Sequence, residues 1–74
     1  MSERPPIRST GLITKIYEEG RLFEVTMENG YRAYAVLERK GPQPENPVVA
    51  GESRAILHFS PFDMSRCKIA EWEN

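Results

Sequence analysis

A single all-β domain, five short strands closing into a small barrel, is the fold this sequence predicts, and three observations predict it. Apolar and polar residues alternate in short segments, at the period of a half-buried sheet, with turn signals between them. No segment sustains a helical period, and no internal repeat is present. The chain has 74 residues, so its core is small, and closing the sheet on itself removes the strand edges that such a domain would otherwise expose. Five strands suit a barrel and are too few for a sandwich.

Residues 1–9 carry two prolines and few apolar groups, which predicts a flexible tail ahead of a domain spanning 10–74. The first strand is expected over 10–17. There Leu12, Thr14 and Ile16 share one side, and Gly11, Ile13, Lys15 and Tyr17 share the other. Glu18-Glu19-Gly20 is a turn signal, and a second strand begins near Arg21.

The second and third strands are joined at Glu28-Asn29-Gly30, where Asn and Gly tolerate the positive φ of a tight hairpin loop. Two registers are open. A two-residue Asn29-Gly30 loop sets Tyr34 beside Val25, whereas a three-residue Glu28-Asn29-Gly30 loop with a bulge aligns Val25 with Ala33 and Phe23 with Ala35. The second is preferred because it buries Phe23, Val25, Met27, Tyr31, Ala33, Ala35 and Leu37 together. It turns Glu24, Thr26, Arg32, Tyr34 and Val36 outward.

Residues 39–47 hold three prolines and a glycine, which excludes a ladder strand or a regular helix and predicts a long loop between the third and fourth strands. Val48 and Val49 are expected to pin its far end to the core. A fourth strand over 53–59 places Ala55, Leu57 and Phe59 on one face, with His58 outward. Residues 61–66 reverse the chain, and 67–72 form the last strand, with Trp72 either capping the barrel's open end or anchoring a partner.

Ten Lys and Arg stand against eleven Asp and Glu, a net charge of −1. No strong positive field surrounds the molecule, so any attraction to phosphate rests on local patches. The single cysteine, Cys67, has no disulfide partner and no neighbours at metal-ligand spacing, which predicts a reducing, cytoplasmic home and no metal or other cofactor. The start of the sequence lacks the apolar run of a signal peptide, and no segment is long enough to span a bilayer. With one His, one Cys and no spaced triad, no enzyme is expected.

Barrels of the oligonucleotide-binding type use the exposed face of their second and third strands as the ligand surface. Arg32 and Tyr34 would lie on that face, Tyr34 either as a stacking platform for a base or simply as cover for the sheet. Arg39, Lys40, Arg66 and Lys68 converge as phosphate contacts if the exit of the third strand meets the fifth; otherwise they are ordinary surface charges.

Several pieces, in order, resemble bacterial translation initiation factor one, a small RNA-binding barrel of the oligonucleotide-binding superfamily that occupies the decoding site of the small ribosomal subunit. They are Gly11 with an apolar residue two on, Phe23-x-Val25 running into Glu28-Asn29-Gly30, Ala35-x-Leu37, Gly51-Glu52 and Pro61-Phe62-Asp63-Met64-Ser65, together covering about residues 11–69. The resemblance implies a Greek-key barrel and binding of ribosomal RNA. Lys40 corresponds to a lysine of the family's basic loop, and Arg66 and Lys68 to cations of its final motif. Val36 stands where the family has His, Pro42, Gln43, Pro44 and Glu45 replace the rest of the basic loop, and Glu71-Trp72-Glu73-Asn74 replaces a basic tail. The pattern is that of a divergent relative. The expected function is a monomeric, non-catalytic RNA-binding module with no membrane partner; the alternative is a protein-interaction barrel that has lost RNA.

Overall fold

The computed structural model describes residues 7–73. Five strands follow one another: β1 (Ile7–Glu18), β2 (Leu22–Met27), β3 (Arg32–Val36), β4 (Arg54–Ser60) and β5 (Asp63–Trp72). They close into a barrel in the order β1-β2-β3-β5-β4, with β4 returning to β1. Every pairing is antiparallel except that of β3 with β5. This is the all-β, five-stranded Greek-key architecture of an oligonucleotide-binding-type barrel. The described residues contain no helix, hence none long and apolar enough to cross a membrane.

The β2–β3 hairpin takes the three-residue loop. Phe23 pairs with Ala35 and Val25 with Ala33. The Gly30 N–H donates to Met27 O at 2.9 Å, the Met27 N–H donates to Tyr31 O at 2.8 Å, and Gly30 has φ +86°. That is a turn followed by a left-handed glycine bulge, the geometry that only a residue without a Cβ adopts cheaply. Phe23, Val25, Ala33, Ala35 and Leu37 are buried, and Met27 packs partly against them. Tyr31 departs from expectation and remains 42% exposed. It sits where the loop leaves the barrel's end, and its hydroxyl donates to Met64 O at 2.8 Å, a bond that holds the ring at the mouth instead of inside.

Strict alternation fails in β1, because Ile13 is fully buried and Ile16 also packs on the core, three residues later. The register shifts between Ile13 and Lys15 and again between Ile16 and Glu18, leaving Thr14 and Tyr17 as the extra residues of two bulges. The strand also starts earlier than expected. Ile7, Arg8 and Ser9 pair with Phe59, His58 and Leu57 and so belong to the barrel; residues 1–6 of the expected tail, and Asn74, lie outside the described residues.

The core centres on Ile13, Phe23, Val25, Leu57 and Phe59, the largest side chains that are fully buried. Each contributes about 1.5–3 kcal/mol by leaving water. Gly11 allows the sheet to close tightly here: a Cβ at that position would lie 2.8 Å from Leu57 Cδ1 and 3.1 Å from Met27 Cε. The loop after β3 has no regular structure and no helix. At its far end Val48 packs on the core, while Val49 is 46% exposed and holds through its backbone. Its N–H donates to buried Ser53 Oγ at 2.8 Å, and its carbonyl accepts from the Glu52 and Ser53 N–H groups. β5 begins at Asp63, four residues before its expected start, so the reversal is confined to the tight turn that joins Ser60 to Asp63.

Candidate nucleic-acid interface

β3 turns Arg32, Tyr34 and Val36 outward, while Ala33 and Ala35 fill the barrel. On the β2 side Arg32 pairs with Thr26 and Tyr34 with Glu24. On the β5 side Tyr34 pairs with Arg66 and Val36 with Lys68, and Lys68 in turn faces His58 of β4. Paired residues on adjacent strands sit about 4.8 Å apart. Tyr34, itself 50% exposed, therefore lies in the middle of one continuous outer surface, with an acid on one flank and a guanidinium on the other.

The two bulges of β1 add a second aromatic ring. Both extra residues point their hydroxyls at Glu24: Thr14 Oγ1 donates to Glu24 Oε1 at 2.8 Å, and the Tyr17 hydroxyl donates to Oε2 at 3.3 Å. Tyr17 thereby lies with its ring centroid 5.8 Å from that of Tyr34, tilted by 48°. The Thr14 hydrogen bond holds the Glu24 carboxyl below its ordinary range, helped by the charges of Lys15 and Arg32. Desolvation and then the Glu24 charge push the Tyr17 phenol upward, so the ring remains neutral at physiological pH.

Arg39 and Lys40 occupy the centre of a turn closed by the Gly41 N–H donating to Glu38 O at 2.9 Å. The Glu38 carboxylate lies 3.7 Å from Lys68 Nζ, so the turn adjoins the middle of β5. An exposed pair of this kind contributes little stability, but it shows where the turn lies. Thus Arg32, Tyr34, Arg66 and Lys68 share one sheet face, and Arg39 and Lys40 stand at its edge. Glu24, which alternation in the hairpin turns outward, completes the face together with Tyr17 and Thr14, which alternation alone does not single out. The signal that finds them is the spacing of Ile13 and Ile16: two core residues three apart in one strand require a bulge between them.

Cys67 faces inward beneath this surface. Its Sγ lies 3.5 Å from Tyr34 O, and burial pushes the thiol up to about 12, which keeps it a neutral, inert group. Among the described residues no three His, Cys, Asp or Glu side chains gather into a possible metal site. Trp72 is engaged within the chain, donating its indole N–H to Pro42 O at 2.8 Å and setting its ring edge-on to Phe23. Compared with protein-family models and with curated protein sequences, the chain finds no match.

Proposed function

We propose that this chain is a cytoplasmic, non-catalytic RNA-binding module, similar to bacterial translation initiation factor one, whose target is RNA of the small ribosomal subunit. The observation that carries the reading is the pair of tyrosine rings, 5.8 Å apart, on the same outward face as Arg32, Arg66 and Lys68. A single-stranded or splayed base stacks on an exposed ring with little regard to sequence, and the flanking cations take up its phosphates. The net charge of −1 sets the affinity low, on the non-specific scale of about 10⁻⁴ to 10⁻⁶ M.

The test is retention of small ribosomal subunits by the immobilised protein, combined with fluorescence anisotropy of a labelled RNA over a salt series. The double variant Arg66→Glu, Lys68→Glu is expected to bind more weakly and with a salt slope shallower by about two, one per lost phosphate contact. Arg39→Glu with Lys40→Glu should act in the same direction. Absence of RNA binding at low salt would overturn the proposal.

A second reading, a protein-interaction barrel, is favoured by a different observation. Ile7, Met27, Tyr31, Phe59 and Met64 line an apolar groove of about 690 Å³ at one end of the barrel, and Phe62 in the turn between β4 and β5 is 86% exposed. Exposed apolar surface of this kind marks interaction sites. Trp72, by contrast, is spent on the barrel's own closure. Loss of a captured protein on Met64→Glu, with RNA binding absent in the unaltered chain, would favour this reading.

A further inference from the structure

A carboxylate in the middle of a surface meant for phosphates is an odd choice unless it meets something other than a phosphate. Glu24 opposes Tyr34 across the β2–β3 ladder, and Arg32 stands two residues along the same strand. Together with Ala33 and Ser65, these three side chains line a small depression of about 190 Å³. Thr14 Oγ1 occupies one lone pair of Oε1 and the Tyr17 hydroxyl one of Oε2. Each oxygen keeps a further lone pair, and the two hydroxyls hold the carboxylate as a fixed two-point acceptor. The two bulges of β1 are what bring Thr14 and Tyr17 to this group.

Resting on the RNA-binding reading above, we infer that this depression is a guanine-selective subsite, in which Glu24 accepts two hydrogen bonds from the base's Watson–Crick edge while Tyr34 stacks on its face. Guanine alone among the four bases presents two adjacent donors, N1–H and N2–H, on that edge. Adenine sets its N1 acceptor against the carboxylate, cytosine its N3 acceptor, and uracil flanks one donor with two carbonyl oxygens. Each of those alternatives brings lone pairs against a charged oxygen, which is a repulsive element as well as a missing attraction. Arg32 lies close enough along β3 to reach the phosphate of the bound nucleotide and offset the charge of Glu24.

The experiment compares labelled single-stranded octamers of uridine carrying one central guanosine, inosine, adenosine or cytidine. A two-point contact discriminates by roughly ten-fold at an open site of this kind. The guanosine octamer is therefore expected to bind about ten-fold more tightly than the adenosine and cytidine octamers, with inosine, which lacks the N2 amine, between them. Glu24→Gln, checked for an unchanged circular dichroism spectrum, exchanges one acceptor for an amide donor and should abolish the guanosine preference while the octamers still bind. Free GMP should compete only weakly; displacement as effective as that by the guanosine octamer would assign the site to a mononucleotide and overturn the strand reading. Equal binding of all octamers by the unaltered protein would overturn the subsite and leave general RNA binding standing. A guanosine preference that persists in Glu24→Gln would remove Glu24 from it. No binding of any octamer would overturn both this inference and the function on which it rests.

Discussion

At one end of the barrel the Trp72 ring sits edge-on to Phe23, at 5.8 Å and 84°, and its indole N–H reaches the carbonyl of Pro42. At the other end Ile7, Tyr31 and Met64 stand 43%, 42% and 36% exposed around a groove. The same five strands frame both. What separates them among the described residues is the segment available to each: the closed end receives the long loop after β3 and the last residue of β5, whereas the open end receives the tight turns at Glu28-Asn29-Gly30 and Pro61-Phe62. A loop rich in proline forms no ladder, but it loses less entropy on ordering than a flexible one, and the Trp72–Pro42 and Val49–Ser53 hydrogen bonds together with the Val48 contact help to lay it across the core. Tight turns cannot reach that far. Among the described residues the exposure of Ile7, Tyr31 and Met64 at this end is thus a consequence of loop length.

The largest expected effect lies at the closed end. Trp72→Ala removes the aromatic edge from Phe23 and the donor from Pro42, and should cost about 3 kcal/mol, the lower part of the range for losing a packed Trp, since the ring is only partly buried. Denaturant unfolding measures it. Cys67 supplies an internal reporter: buried as a neutral thiol, it should react with thiol reagents only when the barrel opens. A loss of 3 kcal/mol then raises the labelling rate by about two orders of magnitude, if opening is global. Because its folded-state value is raised from 9.0 to about 12, the contribution of Cys67 to stability is complete below pH 9. It is lost as pH rises through the interval up to 12.

Next in size is Gly30→Val. Gly30 has φ +86° and open space around it, so the substitution meets no clash and acts through backbone strain alone. It should cost more than about 1 kcal/mol. Gly11→Val offers a contrast, for there the loss comes from steric overlap with Leu57 and Met27 instead. Equal melting temperatures for Gly30→Val and the unaltered chain would show that the hairpin tolerates another loop geometry.

These two regions also differ in how far the sequence revealed them. The hairpin was legible because Phe23, Val25, Ala33 and Ala35 can all be buried in only one register, and Glu28-Asn29-Gly30 supplies the loop that this register needs. The closed end was legible in outline, since prolines at 42, 44 and 47 exclude strand and helix alike. Its anchor was not, because the bond from Trp72 to Pro42 joins residues thirty positions apart and no local pattern encodes it. On the candidate face, Arg32 and Tyr34 were readable from alternation in β3, whereas Arg66 was expected in the reversal before β5 and entered, with Lys68, through the family resemblance. Tyr17 and Thr14 were hidden by the bulges, which reset the alternation twice within one strand. Tyr31 was placed inside by the same logic, which does not register that a hydroxyl near a barrel mouth finds a carbonyl there.

The smallest expected effect tests the open end. Phe62 is the most exposed large apolar side chain of the described residues, at 86%, and its backbone N–H is held by Ser60 Oγ at 3.1 Å whatever the side chain is. The turn is fixed at its other side by Asp63, whose carboxylate accepts from the Ser65 N–H and hydroxyl. Neither bond involves the ring. Phe62→Ser should therefore shift stability by no more than about 0.5 kcal/mol and leave the labelling rate of Cys67 unchanged, in contrast to Trp72→Ala. A loss comparable to that of Trp72→Ala would mean that the ring folds down over the Ile7–Met64 groove in solution, closing the second end after all. Unchanged stability would leave Phe62 as surface whose apolar character the fold itself does not require.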